Sequence, residues 1–151
     1  MNSFLFSKIT PPRLLEIVER PRLIESLRRR GERHLVFILG QAGQGKSTLA
    51  LSWLHAEDCP GSWINLGPED SEAVTLFKLL VHSVQQVLPN VDFSSVLMLP
   101  SMTVPREDDL LYLEYISALL GLIDRPLHIV CDGLDRLTAN CSAYRLLKVL
   151  V

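Results

Sequence analysis

Short unbroken runs of apolar residues alternate along this chain with stretches whose apolar positions recur every three or four residues. That is the pattern of buried strands separated by amphipathic helices. Three runs read as strands: His34-Leu35-Val36-Phe37-Ile38-Leu39, Ser62-Trp63-Ile64-Asn65-Leu66 and Leu127-His128-Ile129-Val130-Cys131. Pro21 suits a first helical residue, and Leu23, Ile24 and Leu27 give a short helix that Gly31 can end. Thr48 to Leu54 reads as a second helix. A third, capped by Asp70 or Ser71, sets Val74, Phe77, Val81, Val84 and Leu88 on one stripe and stops at Pro89-Asn90. A fourth opens on Glu107, Asp108 and Asp109, carries Leu110, Leu113, Ile116, Leu120 and Ile123 inward, and stops at Arg125-Pro126. A fifth starts near Asn140 and is still running at Val151. Residues 1–20, with Pro11-Pro12, read as an extended lead-in, and 90–105 as irregular. Strands alternating with helices predict an α/β fold around a parallel sheet.

Between the first run and the second helix lies Gly40-Gln41-Ala42-Gly43-Gln44-Gly45-Lys46-Ser47-Thr48, a match to G-x-x-x-x-G-K-[ST]. Strand, glycine-rich turn and helix is the context this phosphate-binding pattern needs. The glycines let the backbone curl so that successive N–H groups face an anion, and the helix N-terminus adds to that field. Lys46 is the side-chain cation for the β- and γ-phosphates, and the Ser47 hydroxyl is a Mg²⁺ ligand. The bland alternative is a glycine turn beside a stray Lys-Ser pair. A chance match in a chain of this size has odds of about 1 in 200 on average residue frequencies.

The third run ends in Asp132-Gly133-Leu134-Asp135. A carboxylate at the C-terminal edge of a strand beside a phosphate loop holds Mg²⁺ directly or through water, the Walker B role, which Asp132 fits. Its alternative is a turn cap with Gly133. Asp135 stands open between orienting or deprotonating a water, pairing with Arg136, and capping the next helix. Lys46, Asp132 and Asp135 are thus the catalytic candidates, and Ser47 with Asp132 the metal candidates. His128, inside an apolar strand, reads as structural. His34, His55 and His82 form no metal pattern, and Cys131 reads as a buried thiol.

Composition narrows the setting. A chain of 151 residues can bury one core, and its net charge of −2 offers no general attraction to nucleic acid. Arg28, Arg29 and Arg30 close a helix, where cations suit the dipole, rather than form a nucleic-acid patch. Three cysteines without C-x-x-C spacing suit a reducing, cytoplasmic setting. No signal peptide is visible and no run reaches 18 uninterrupted apolar residues, so no membrane span is expected.

Ile9-Thr10-Pro11-Pro12, Val18-Glu19-Arg20-Pro21-Arg22-Leu23, Gly40 to Thr48, Trp63-Ile64-Asn65-Leu66 and Val130-Cys131-Asp132-Gly133-Leu134-Asp135 together resemble the N-terminal part of a STAND NTPase. Within that class they look most like the MalT-type ATPase module of LuxR-family regulators. The D-G-L-D ending departs from the two adjacent acids common there and is similar to NACHT modules. The resemblance implies a three-layer α/β/α P-loop fold of the additional-strand type, binding ATP or ADP with Mg²⁺. Residues 1–32 would be a lead-in with a short helix, and 33–151 the nucleotide-binding domain. It implies a nucleotide-dependent signalling switch, closed with ADP and self-associating with inducer and ATP. Val18, Glu19 and Arg20 would lie near the adenine. It further implies a strand beyond Val151 between the two active-site strands and a later sensor arginine, so that residues 1–151 alone would bind nucleotide weakly and hydrolyse little or none. Two rivals remain: a small-molecule kinase, and a fragment that binds nucleotide without hydrolysis.

Overall fold

The computed structural model describes residues 3–13, 20–30, 35–102 and 109–150. Their one sheet has two parallel strands, β1 (Gly61–Asn65) and β2 (His128–Asp132), with Trp63 opposite Val130 and Asn65 opposite Asp132. Side chains alternate across a strand. Trp63 and Val130 therefore share one face, where they pack with Ala50 and Leu51 of α3 (Lys46–Ala56). Ile64 faces the other way with Ile129 and Cys131, into the main core under α4 (Ala73–Val87). Helices thus cover both faces of this small sheet. Burial pushes the Cys131 thiol up to about 12, which leaves it protonated and inert.

The third expected strand is not in the sheet. Residues 35–39 carry no ladder pairing, and His34 lies outside the described residues. A strand exists only through a neighbour, and neither β1 nor β2 pairs with this run. Ile38 touches the α3 cluster, whereas Phe37 is 62% and Leu39 88% exposed.

Three other expectations change. The lead-in is not wholly extended: Ser3–Lys8 form α1, which ends before the proline pair. Ile9 behind it is buried in the main core. The 90–105 stretch is not all irregular, because Ser94–Met102 form α5 with Pro100 inside. In α6 (Asp109–Leu120) the inward stripe is Leu111, Tyr112, Tyr115, Ile116 and Leu119, while Leu110, Leu113 and Leu120 are exposed. That helix is apolar on every side, so spacing alone could not choose its inner face. Its expected start at Glu107 and Asp108 lies outside the described residues.

Elsewhere the pattern holds with small shifts. α2 (Pro21–Arg30) starts at its proline. α4 buries Phe77, Val81 and Val84 over Leu88, with Val74 exposed. α7 (Ser142–Val149) begins two residues beyond Asn140. Among the described residues no helix is long and apolar enough to cross a membrane.

Asp70 does not cap α4, whose N-cap is Glu72. It closes the 3-10 turn Pro68–Asp70 by accepting from the Gly67 N–H at 2.8 Å, and it accepts from Lys8 Nζ at 2.6 Å. Glu69 is the second carboxylate on Lys8. Burial by itself would lower the Lys8 pKa, but the hydrogen bonds and charges of Asp70 and Glu69 raise it above the ordinary lysine value.

The histidines read as structural have a consequence for stability. Burial holds His82 and His128 below the ordinary value near 6.5, with Gln85 and Glu57 respectively pulling the other way. Both rings bind protons less readily folded than unfolded. Their contribution is therefore full above about pH 6.5 and is lost as pH falls through that value towards the lower folded one. Thermal melts should show a lower Tm at pH 5 than at pH 7.5. Equal midpoints would contradict this assignment.

Candidate functional site

Residues 40–45 form a tight turn that runs into α3, with Gly43 at φ 79° and Gly45 at φ 76°. This left-handed backbone is costly for a residue with a side chain, and successive N–H groups in such turns make anion-binding concavities. α3 starts at Lys46, with the Leu49 N–H donating to the Gly45 carbonyl at 2.9 Å. Lys46 Nζ donates to the carbonyls of Gly40 and Gln41, each at 2.9 Å, so its ammonium bridges the near limb of the turn. Ala42 is exposed on the turn, and Thr48 lies half-buried in the first turn of α3.

Asp132 is the last residue of β2, at the strand's C-terminal edge. Ser47 Oγ donates to Asp132 Oδ2 at 2.6 Å, across 85 residues of sequence. The backbone behind the carboxylate is held too, as the Leu66 N–H donates to the Asp132 carbonyl at 2.8 Å. Gly133 turns the chain sharply at φ 83°, and a Cβ there would stand 2.7 Å from the Leu66 carbonyl oxygen. Glycine is therefore required beside Asp132 by both backbone angle and space.

A hydroxyl and a carboxylate converging at this distance form a hard oxygen pair, the donor set that suits Mg²⁺. Magnesium commonly takes one or two protein oxygens and completes its shell with phosphate and water. Ser47 and Asp132 fit that role, and among the described residues no group of three or more His, Cys, Asp and Glu offers an all-protein cage.

Asp135 follows Asp132 by three residues. It is exposed on the 3-10 turn Leu134–Arg136, no ion pair joins it to Arg136 among the described residues, and the N-cap of α7 is Cys141. Among the described residues neither the Arg136 pairing nor the α7 cap is formed, and no contact joins Asp135 to Ser47 or Asp132 either. Of the adenine candidates, Val18 and Glu19 lie outside the described residues. Arg20 is described, and its side chain meets the turn: Nη1 donates to the Gln44 carbonyl at 3.2 Å, and Nη2 lies 3.3 Å from where a Gly45 Cβ would be.

A cleft of about 310 Å³ opens beside the turn. Arg20, Leu23 and Leu27 line one side of it, with Val36, Gln44 and Lys46 among its other walls. An apolar wall next to a cationic turn suits a ligand with a flat apolar part and an anionic tail.

Sequence spacing did not single out the Gln44 side chain. Its Oε1 accepts the Gln41 N–H at 3.0 Å inside the turn. It also missed Asn65, opposite Asp132 in the ladder, whose Nδ2 donates to the carbonyls of Ser7 at 3.0 Å and Thr10 at 2.8 Å. The lead-in is thereby tied one strand away from the metal candidates. Nothing local says which distant carbonyls an amide will meet.

No family model matches the chain. A stretch of 78 residues, 50% of this chain, is 33% identical to the serine/threonine-protein kinase PknK of Mycobacterium tuberculosis, and the same holds for PknK of Mycobacterium bovis. The match takes up 7% of the kinase's length, so this chain is similar to only a small part of that protein.

Proposed function

We propose that this chain is the phosphate- and magnesium-binding part of a P-loop NTPase, of the additional-strand, three-layer type and the STAND class. Its nucleotide is ATP or ADP, and it serves as a nucleotide-dependent switch in a signalling or transcriptional regulator that self-associates. The observation that carries the reading is the 2.6 Å contact between Ser47 Oγ and Asp132 Oδ2. Two motifs distant in sequence meet there, a hydroxyl against a carboxylate, and that meeting supports a shared metal. Lys46 supplies the cation for the phosphate chain, and the turn with positive φ at Gly43 and Gly45 supplies backbone donors. Ser47 and Asp132 would hold Mg²⁺, which would supply neutralisation of phosphate charge. Asp135 is retained as the residue acting on water.

The relative's name suggests the rival, transfer of a phosphoryl group to a protein. Protein kinases hold base and metal with H-R-D and D-F-G motifs. The residues present here carry the Gly40–Thr48 loop and Asp132 instead, and hydrolysis is the reading we argue from them.

Asp132→Asn tests it. ADP affinity of the unsubstituted chain should improve with Mg²⁺, and the variant should lose that improvement while keeping metal-free affinity. Calorimetry with and without EDTA reads both. An unchanged magnesium dependence makes Asp132 a turn residue only, and absence of ADP binding by the unsubstituted chain defeats the proposal.

A further inference from the structure

The peptide unit joining Gly40 to Gln41 is gripped on both sides. Its carbonyl accepts from Lys46 Nζ at 2.9 Å, and its N–H donates to Gln44 Oε1 at 3.0 Å. The Gln44 amide fits there because Gly40 has no side chain: a Cβ at 40 would lie 2.6 Å from Gln44 Oε1. The Gln44 backbone is fixed as well, its N–H reaching the Gln41 carbonyl at 3.4 Å and its own carbonyl taking Arg20 Nη1 at 3.2 Å. The motif needs no particular side chain at position 44, so this contact is a property of the present chain.

We propose that Gln44 is a positioning residue for Lys46: its side-chain amide holds the Gly40–Gln41 peptide so that the carbonyl anchoring the Lys46 ammonium stays aimed at it. This rests on the phosphate-site reading above. An amide whose N–H is hydrogen-bonded presents a more strongly accepting carbonyl. A peptide held at one edge is also freer to rotate, which would loosen one of the two anchors of the ammonium and leave it the Gln41 carbonyl alone. The effect of Gln44 on nucleotide therefore passes through Lys46.

The experiment is a cycle of ADP titrations on the full chain carrying Gln44→Ala, Lys46→Ala or both, with Gln44→Met as a variant of similar length without the amide acceptor. Gln44→Ala and Gln44→Met should each weaken ADP binding about three- to tenfold, the worth of one net hydrogen bond. In the Lys46→Ala background, Gln44→Ala should add less than about a twofold change, since coupled neighbours are not additive. Hydrogen exchange of the free protein should show the Gln41 amide faster in both Gln44 variants. Equal ADP affinity in Gln44→Ala and the unsubstituted chain overturns the proposal, as does the same loss with and without the Lys46 ammonium. Weakening by alanine but not by methionine overturns it too, assigning the effect to bulk. If Lys46→Ala binds ADP as well as the unsubstituted chain, the phosphate-site reading itself has failed. If Lys46→Ala weakens binding while Gln44→Ala does not, only the role of Gln44 has failed.

Discussion

Lys46→Ala is expected to weaken ADP binding about ten- to a hundredfold, the range that loss of a charge-assisted hydrogen bond covers. The ammonium stands at the first residue of α3 and is held by the Gly40 and Gln41 carbonyls, at the edge of the cleft that also contains Gln44. Alanine is a good helix former, so α3 should keep its start. What disappears is one positive charge and two bonds across the turn. AMP, which lacks the β-phosphate, should lose much less affinity than ADP if the charge serves the phosphate chain. Calorimetry with both ligands checks this, and a thermal melt shows that the variant is folded. Equal loss for AMP and ADP would place Lys46 as a structural brace, and no loss for either would remove it from the site.

The second large effect concerns folding. Lys8→Met should cost about 3 kcal/mol, the low end of what removing one partner of a buried ion pair costs. Lys8 is 8% and Asp70 2% exposed, so among the described residues the carboxylate left behind would keep only the Gly67 N–H as partner, without a countercharge. Lys8 also stands 5.5 Å from the centre of the Phe4 ring, a contact that methionine preserves only as packing. For a chain of this size about 3 kcal/mol is a fall in Tm of roughly 6–12 °C. Asp70→Asn in the same chain should recover part of that loss, because no buried charge remains unpaired. A Tm within about a degree of the unsubstituted protein would show that the pair is open to water and worth as little as an exposed one.

Part of the candidate site was legible because its chemistry is local. Gly40 to Ser47 lie within eight residues, and glycine placement with a following helix needs no distant partner. β1 and β2 were legible to within a residue, since short apolar runs between turn signals need few alternatives. The run at 35–39 has equally strong apolar character yet forms no ladder, because pairing belongs to two segments and not one. α6 failed for a different reason. Leu110 and Leu111 are equally apolar, and only contact with neighbouring helices makes one 77% exposed and the other buried.

By itself the sequence determined the α/β character, the glycine turn with its lysine, and an aspartate at the end of a strand. These follow from backbone sterics and periodicity, which act over a few residues. Tertiary structure alone decided that Ser47 meets Asp132, that Lys8 reaches Asp70, that Asn65 ties down the lead-in, and that Gln44 folds onto Gly40. The first three contacts span 85, 62 and 55 residues, and over such separations the partner of a polar group is set by which elements pack together. The fourth is local, but it depends on a turn in which Gly43 and Gly45 take positive φ, a choice that side-chain identity permits and the folded backbone makes.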